Sequence, residues 1–132
     1  MSYLVLKRLF EEYSLLGDIS GILNWDMATY MPLKSRKQRV LQIQKLYDYK
    51  KKIIEEIKKK ELFEKIDRNS LNQIDKLNFD LMKNKFEYLD IIPDKLIKKK
   101  INFSIECEGL WRDAKKKSNF SIVRSSFVKL IN

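Results

Sequence analysis

Apolar side chains recur at intervals of three and four residues along the chain, the spacing of one face of an α-helix. Leu6, Leu9, Phe10, Tyr13 and Leu16 open the pattern, and Ile19, Ile22, Leu23, Trp25 and Met27 continue it. Between them, Gly17-Asp18 reads either as a break or as a weak point inside one longer helix. Pro32 drives Met31 away from helical geometry, so this element is expected to end near Tyr30. Ser35 suits the N-cap of a second helix, with Ile43, Leu46, Tyr47, Ile53, Ile54 and Ile57 as its apolar stripe. Leu62, Phe63 and Ile66 either extend that helix or begin a short separate one. Asp67-Arg68-Asn69-Ser70 reads as a loop followed by a cap, and Leu71, Ile74, Leu77, Leu81, Phe86 and Leu89 then mark a third helix. Pro93 and Asp94 suit the first turn of a fourth, with Leu96, Ile97, Ile101, Ser104, Leu110, Trp111 and Ala114 as its packing face. Asn119 reads as the cap of a last helix carrying Phe120, Val123, Phe127 and Leu130.

Only three glycines and two prolines punctuate 132 residues, and the rest is rich in Lys, Leu, Ile and Glu. So few breakers favour long helices over a turn-rich sheet. The expected fold is all-α, with five or six mostly antiparallel helices in a single domain over residues 1–132. Neither a repeat nor a linker nor a low-complexity tail interrupts the pattern.

The net charge of +10 is unevenly placed, since residues 1–34 carry three basic and four acidic groups and the excess lies beyond them. A basic field attracts acidic partners weakly and without selectivity. The lysine triplets at 50–52 and 58–60 share roughly one helix face and read as a solvated back. No aromatics interleave with them on that face, which argues against nucleic acid as the partner. Lysine and isoleucine abundance beside only two alanines matches an AT-rich coding bias, which further discounts the charge as a signal. The single cysteine, Cys107, permits no internal disulfide, and Lys7-Arg8 interrupt the apolar start before it reaches the length of a secretion signal. No apolar run reaches the ~18 residues of a membrane span. A cytoplasmic location without membrane contact is therefore expected.

The sequence has no histidine. That removes Ser-His-Asp and Cys-His nucleophile systems and every zinc site built on imidazole. No glycine-rich phosphate loop is present either. The acidic pairs Glu11-Glu12, Glu55-Glu56 and Glu106/Glu108 fall on polar helix faces among lysines, where solvated carboxylates are ordinary. Cys107 lies beside an apolar stripe and reads as a packed thiol, not a reactive one.

Two stretches are more particular. Asn24-Trp25-Asp26-Met27-Ala28-Thr29-Tyr30-Met31-Pro32 is followed by Arg39 and Gln42; farther on come Pro93, Ser104, Trp111, Ala114, Lys115 and Asn119-Phe120. In wording and spacing they resemble the N-terminal region of the thermostable zinc metallocarboxypeptidases, the carboxypeptidase Taq family. In that family a Trp-Asp-x-x-Thr-x-Met-Pro block precedes an Arg and a Gln, matched here by Trp25, Asp26, Thr29, Met31, Pro32, Arg39 and Gln42. A Pro-led helix, a Trp and an aromatic after Asn/Asp follow, matched by Pro93, Trp111 and Phe120. Leu33-Lys34-Ser35 stands where the family has Pro-Gly-Gly, and Lys115, Val123 and Ser125 replace an Arg, a Phe and a Pro.

The resemblance implies a fold open on the side where a catalytic half would pack, and a full-length activity of zinc-dependent removal of C-terminal residues. The family's His-Glu-x-x-His helix, which holds zinc and supplies a general base, has no counterpart here. No catalytic residue, metal ligand or cofactor is therefore expected in this chain. It reads as truncated before the catalytic part and inactive alone. The other readings are a basic helical binding module and one half of a two-chain enzyme. The uncovered apolar side is expected to support self-association or to receive a complementary catalytic chain. Trp25 and Trp111 are expected to be buried anchors, each worth about 3–5 kcal/mol against Ala. Asp26 and Arg39 flank the Met31-Pro32 turn, which is expected to bring them together as a partly buried ion pair; two separate surface charges are the alternative.

Overall fold

A computed structural model describes residues 2–132, with the side chain of Leu33 excepted. Five α-helices follow one another: α1 (Ser2–Thr29), α2 (Arg36–Lys59), α3 (Gln73–Ile91), α4 (Asp94–Lys116) and α5 (Ser121–Ile131). Two 3-10 turns, Leu33–Ser35 and Arg68–Ser70, lie before α2 and α3. Among the described residues there is no strand, so the all-α class holds. No helix among them is long and apolar enough to cross a membrane. α1 is one uninterrupted helix, which settles the open question at Gly17-Asp18.

The chain packs as two compact units. The first comprises residues up to Ile22 with Lys45–Ile92. Its core joins Leu6 and Leu9 to Ile53, Ile54, Ile57, Leu62, Phe63 and Phe79. Phe63 stands among aromatic neighbours, its ring centroid 5.1 Å from Phe86, 5.4 Å from Phe79 and 6.3 Å from Phe10. Tilted and edge-on contacts of this kind add to the area the rings bury. Lys50 lies over the Tyr13 ring at 4.3 Å and is half-buried, so the first lysine triplet is not wholly a solvated back. Burial and the nearby Lys85 charge lower the Lys50 pKa, because both disfavour its ammonium form.

Leu62 and Phe63 correct the sequence reading, since they belong to no helix. α2 ends in a Schellman motif: the Leu62 amide reaches the Ile57 carbonyl at 3.3 Å and the Glu61 amide that of Lys58 at 3.0 Å. Glu61 carries the positive φ of 51° that this turn demands. The turn brings Leu62 back onto Ile57 in the core. The cap of α3 also differs from expectation. Asp67 caps the 3-10 turn at Arg68–Ser70, and Asn72 caps α3 by accepting from the Asp75 amide at 2.9 Å. On α3 the inward face is Phe79, Met82, Phe86 and Leu89, while Ile74, Leu77 and Leu81 face solvent. Leu71, Phe86 and Leu89 of the expected stripe do pack on this core, so the correction is confined to Ile74, Leu77 and Leu81, whose places Phe79 and Met82 take.

The second unit comprises Leu23–Gln44 and Pro93–Asn132. Met27, Ile43 and Ile105 form one cluster; Cys107, Ala114 and Val123 form another between α4 and α5. Cys107 is buried and outside any disulfide, as expected of a packing thiol. The inner face of α4 runs through Ile105, Cys107, Gly109 and Ala114, with Leu96 and Trp111 outside it, a correction to the predicted stripe. α4 closes like α2. Asn119 donates to Ala114 at 2.9 Å and Ser118 to Lys115 at 3.2 Å, with Ser118 at φ 48°. The N-cap position of α5 is Phe120, one residue beyond the expected Asn119, whose Oδ1 accepts from the Ser121 amide at 3.1 Å.

Two consequences can be measured. A left-handed residue with a Cβ is strained, so Glu61→Gly is expected to raise stability by about 1 kcal/mol in urea unfolding followed by circular dichroism. A loss would show that Glu61 supplies more than the turn. Separately, Tyr3 Oη donates to Asp75 Oδ1 at 2.8 Å. Burial first, and then this carboxylate, push the Tyr3 pKa from its ordinary 10.0 to about 12. A raised folded pKa gives stability that is full below the unfolded value and lost as pH climbs to the folded one. Stability is thus expected to fall between pH 10 and 12, less steeply in Tyr3→Phe; equal slopes would refute the linkage.

Candidate functional site

Of the residues singled out by the sequence, Trp25, Asp26, Thr29, Met31, Pro32 and Arg39 lie at or against the end of α1 in the second unit. A helix leaves its last carbonyls without amide partners, and its C-terminus carries partial negative charge. α1 has no basic residue in its last turn. Two arginines from elsewhere supply the positive charge. Arg39 of α2 donates through Nη1 to the Leu23 carbonyl and through Nη2 to Asp26 Oδ2. Arg112 of α4 donates through Nη1 to the Met27 carbonyl and through Nη2 to Glu108 Oε1. The amides of Tyr30 and Met31 both reach the Asp26 carbonyl, at 3.0 and 2.9 Å, and close the turn into Pro32.

The predicted Asp26–Arg39 pair is therefore present, and it is partly buried: the side chains are 35% and 12% exposed. Arg39 Nε is buried without a hydrogen-bond partner, a cost set against the two charge-assisted bonds. Thr29 Oγ1 donates to the Trp25 carbonyl at 2.8 Å. Met31 is half-buried beside Met27, whereas Pro32 and Gln42 are exposed. Pro93 takes the N-cap position of α4, extended at φ −63° and ψ 135°.

Trp25 and Trp111 are not buried anchors. They are 60% and 51% exposed, and Phe120 is 60% exposed. Trp25 lies against Tyr30 at 5.7 Å between centroids, and Lys115 Nζ stands 5.3 Å from the Trp111 ring. Helical spacing and size both point these rings inward, yet in the fold the stripe that carries them lies on the solvent side.

Glu108 and Arg112 were missed as a pair, although their i,i+4 spacing was visible. Glu108 thus departs from the solvated reading, while Glu11, Glu12, Glu55, Glu56 and Glu106 are exposed as expected. Gly109 was missed too. A methyl there would overlap the Arg36 guanidinium, so only glycine lets that side chain lie against α4.

The chemistry on offer is modest. Met27, Met31, Arg36, Ile105, Gly109 and Arg112 help enclose a crevice of about 10 Å³, the space of about one water. In the first unit an open groove of about 410 Å³ lies between Glu12, Leu16, Tyr49, Lys52, Ile53 and Glu56. Its carboxylates are exposed, and Glu56 is held by Lys60. Among the described residues no three metal-ligating side chains converge.

The Arg39 clamp is open to test. Arg39→Ala is expected to cost about 1–3 kcal/mol in urea unfolding, because Asp26 and the Leu23 carbonyl lose a charged donor together. Arg39→Lys should recover little, since an ammonium cannot fork to both acceptors. A cost near zero for both would make the pair a surface contact.

A profile of the carboxypeptidase Taq (M32) metallopeptidase family matches residues 5–132. No curated protein matches the chain. A solved structure named "The Structure of CHT" superposes with a TM-score of 0.68 at 17% sequence identity, over 97% of this chain and 26% of that one. At that identity the likeness speaks for the fold alone, and this chain spans about a quarter of that structure's length. The family match extends over nearly every residue and includes the Trp25–Pro32 block, Arg39 and Gln42. The chain belongs to the carboxypeptidase Taq (M32) metallopeptidase family.

Proposed function

We propose that these residues form the N-terminal helical portion of a zinc carboxypeptidase and do not cleave peptides by themselves. The observation that carries this reading is the absence of histidine from a chain matched to a metallopeptidase family almost end to end. The zinc chemistry of such an enzyme needs imidazoles one helical turn apart and a carboxylate general base. The donor set here does not fit zinc, because it offers one buried thiol and dispersed carboxylates. No step of peptide hydrolysis is therefore assigned to these residues. Their contribution is structural: α1, α2 and α4 meet through guanidinium–carbonyl contacts that set the Met31-Pro32 turn.

In this reading the zinc-bearing part is a further polypeptide, in the same chain or a separate one, working in the cytoplasm. The many exposed apolar side chains, Trp25, Trp111 and Phe120 among them, support an association of that kind. Incubated with zinc and a peptide, the purified 132-residue chain is expected to release no C-terminal residue. Adding a family polypeptide that bears the His-Glu-x-x-His helix but lacks this region is expected to give release. Trimming by this chain unaided would overturn the reading, as would full activity of the zinc-bearing part without it.

A further inference from the structure

Arg36, Arg39 and Arg112 are all half-buried in the second unit. Arg39 and Arg112 each hold a backbone carbonyl and a carboxylate. Arg36 holds neither: among the described residues it has no hydrogen bond and no ion pair. Its guanidinium lies over Gly109, in the space a methyl there would take. Burial strips water from a charge, which is unfavourable where no opposite charge replaces it. The fold thus places a guanidinium with its full set of donors unspent against the backbone of α4.

Arg36 and Gly109 line the crevice of about 10 Å³, and the other charged groups on it are Arg112 and Glu108. Met27, Met31 and Ile105 give it apolar walls. Two guanidinium groups therefore stand against one carboxylate, and Arg112 already holds that carboxylate. The lining is left with positive charge in excess. Arg36 also opens α2, whose first turn carries no acidic residue, so the partial positive charge of that helix end is not offset there. The partial negative charge at the end of α1 is met by Arg39 and Arg112. Apolar walls lower the local dielectric and strengthen what field remains.

We propose that this crevice binds a single halide-sized anion, chloride, with Arg36 as its main donor and Arg112 as the second. Charge selects an anion over a metal cation or a water molecule. Size selects a halide over sulfate or phosphate, because the space is that of about one water and a halide is only slightly larger. Arg112 gives one N–H to the Met27 carbonyl and one to Glu108, which leaves part of its donor fork for the ion. Bound there, chloride bridges the start of α2 to α4 beside the Met31-Pro32 turn. It gives Arg36 the opposite charge that no side chain supplies.

The inference stands without the peptidase reading and is read by ion binding to the 132-residue chain, not by activity. The NMR line of chloride is expected to broaden as the protein is added, and bromide is expected to reverse this by competition. Sulfate at equal ionic strength displaces only chloride held loosely by surface lysines, so it is expected to leave most of the broadening. Arg36→Gln is expected to reduce the bromide-sensitive part several-fold. Lys37→Gln removes the same charge from an exposed neighbour and is expected to change it little. Both chains should keep their helical circular dichroism. In urea unfolding at fixed ionic strength, exchanging gluconate for chloride is expected to raise the midpoint of the parent chain and not that of Arg36→Gln, since a ligand held only by the folded state stabilises it. Broadening that bromide does not reverse would mean that the crevice takes water. Equal losses in the two variants would mean diffuse attraction by lysines. Either result overturns the proposal, and if Arg36→Gln does not fold, the bromide, sulfate and gluconate comparisons on the parent chain decide it.

Discussion

A helix must end, and its last carbonyls must find donors. In this protein that requirement organises the most distinctive residues. Pro32 has no amide to offer back, and α1 carries no basic residue in its final turn. The deficit is met from α2 and α4, by Arg39 on the Leu23 carbonyl and Arg112 on the Met27 carbonyl. Each guanidinium also holds a carboxylate, Asp26 or Glu108, so neither charge enters the packing alone. Two helices are tied to the end of a third, and the family-matching block is where the tie is made.

The fold class was legible because helical periodicity is a short-range signal that few glycines or prolines interrupt. The Asp26–Arg39 pair was legible for a different reason: a proline-forced reversal leaves two oppositely charged residues little choice of neighbour. What was hidden shares a cause. Periodicity gives a face but not its direction, and α3 has two apolar faces, so Ile74, Leu77 and Leu81 were read where Phe79 and Met82 belong. Trp25 and Trp111 misled in the same way. The α2 terminus was hidden because its Schellman turn uses Glu61 in place of the glycine that usually marks one. Arg112 was hidden because its acceptor is a backbone carbonyl 85 residues away, which no local pattern announces.

Function divides along the same line. Membership of a metallopeptidase family comes from residues that build helices and turns. In the fold those residues supply hydrogen bonds, turns and packing, so the likeness described here is one of architecture. A basic net charge adds little, since it is spread over solvated lysines and engaged in part by Glu55, Glu56, Glu61, Glu87 and Asp90 across short ion pairs.

Gly109 shows how local weakness serves the whole. Glycine within a helix forfeits about 1 kcal/mol against alanine, yet here it lets a flat, charged group from α2 rest on the α4 backbone. A methyl at 109 would meet only the mobile end of the Arg36 side chain, so what bulk there forfeits is the seat of that guanidinium, with the α4 backbone left where it is.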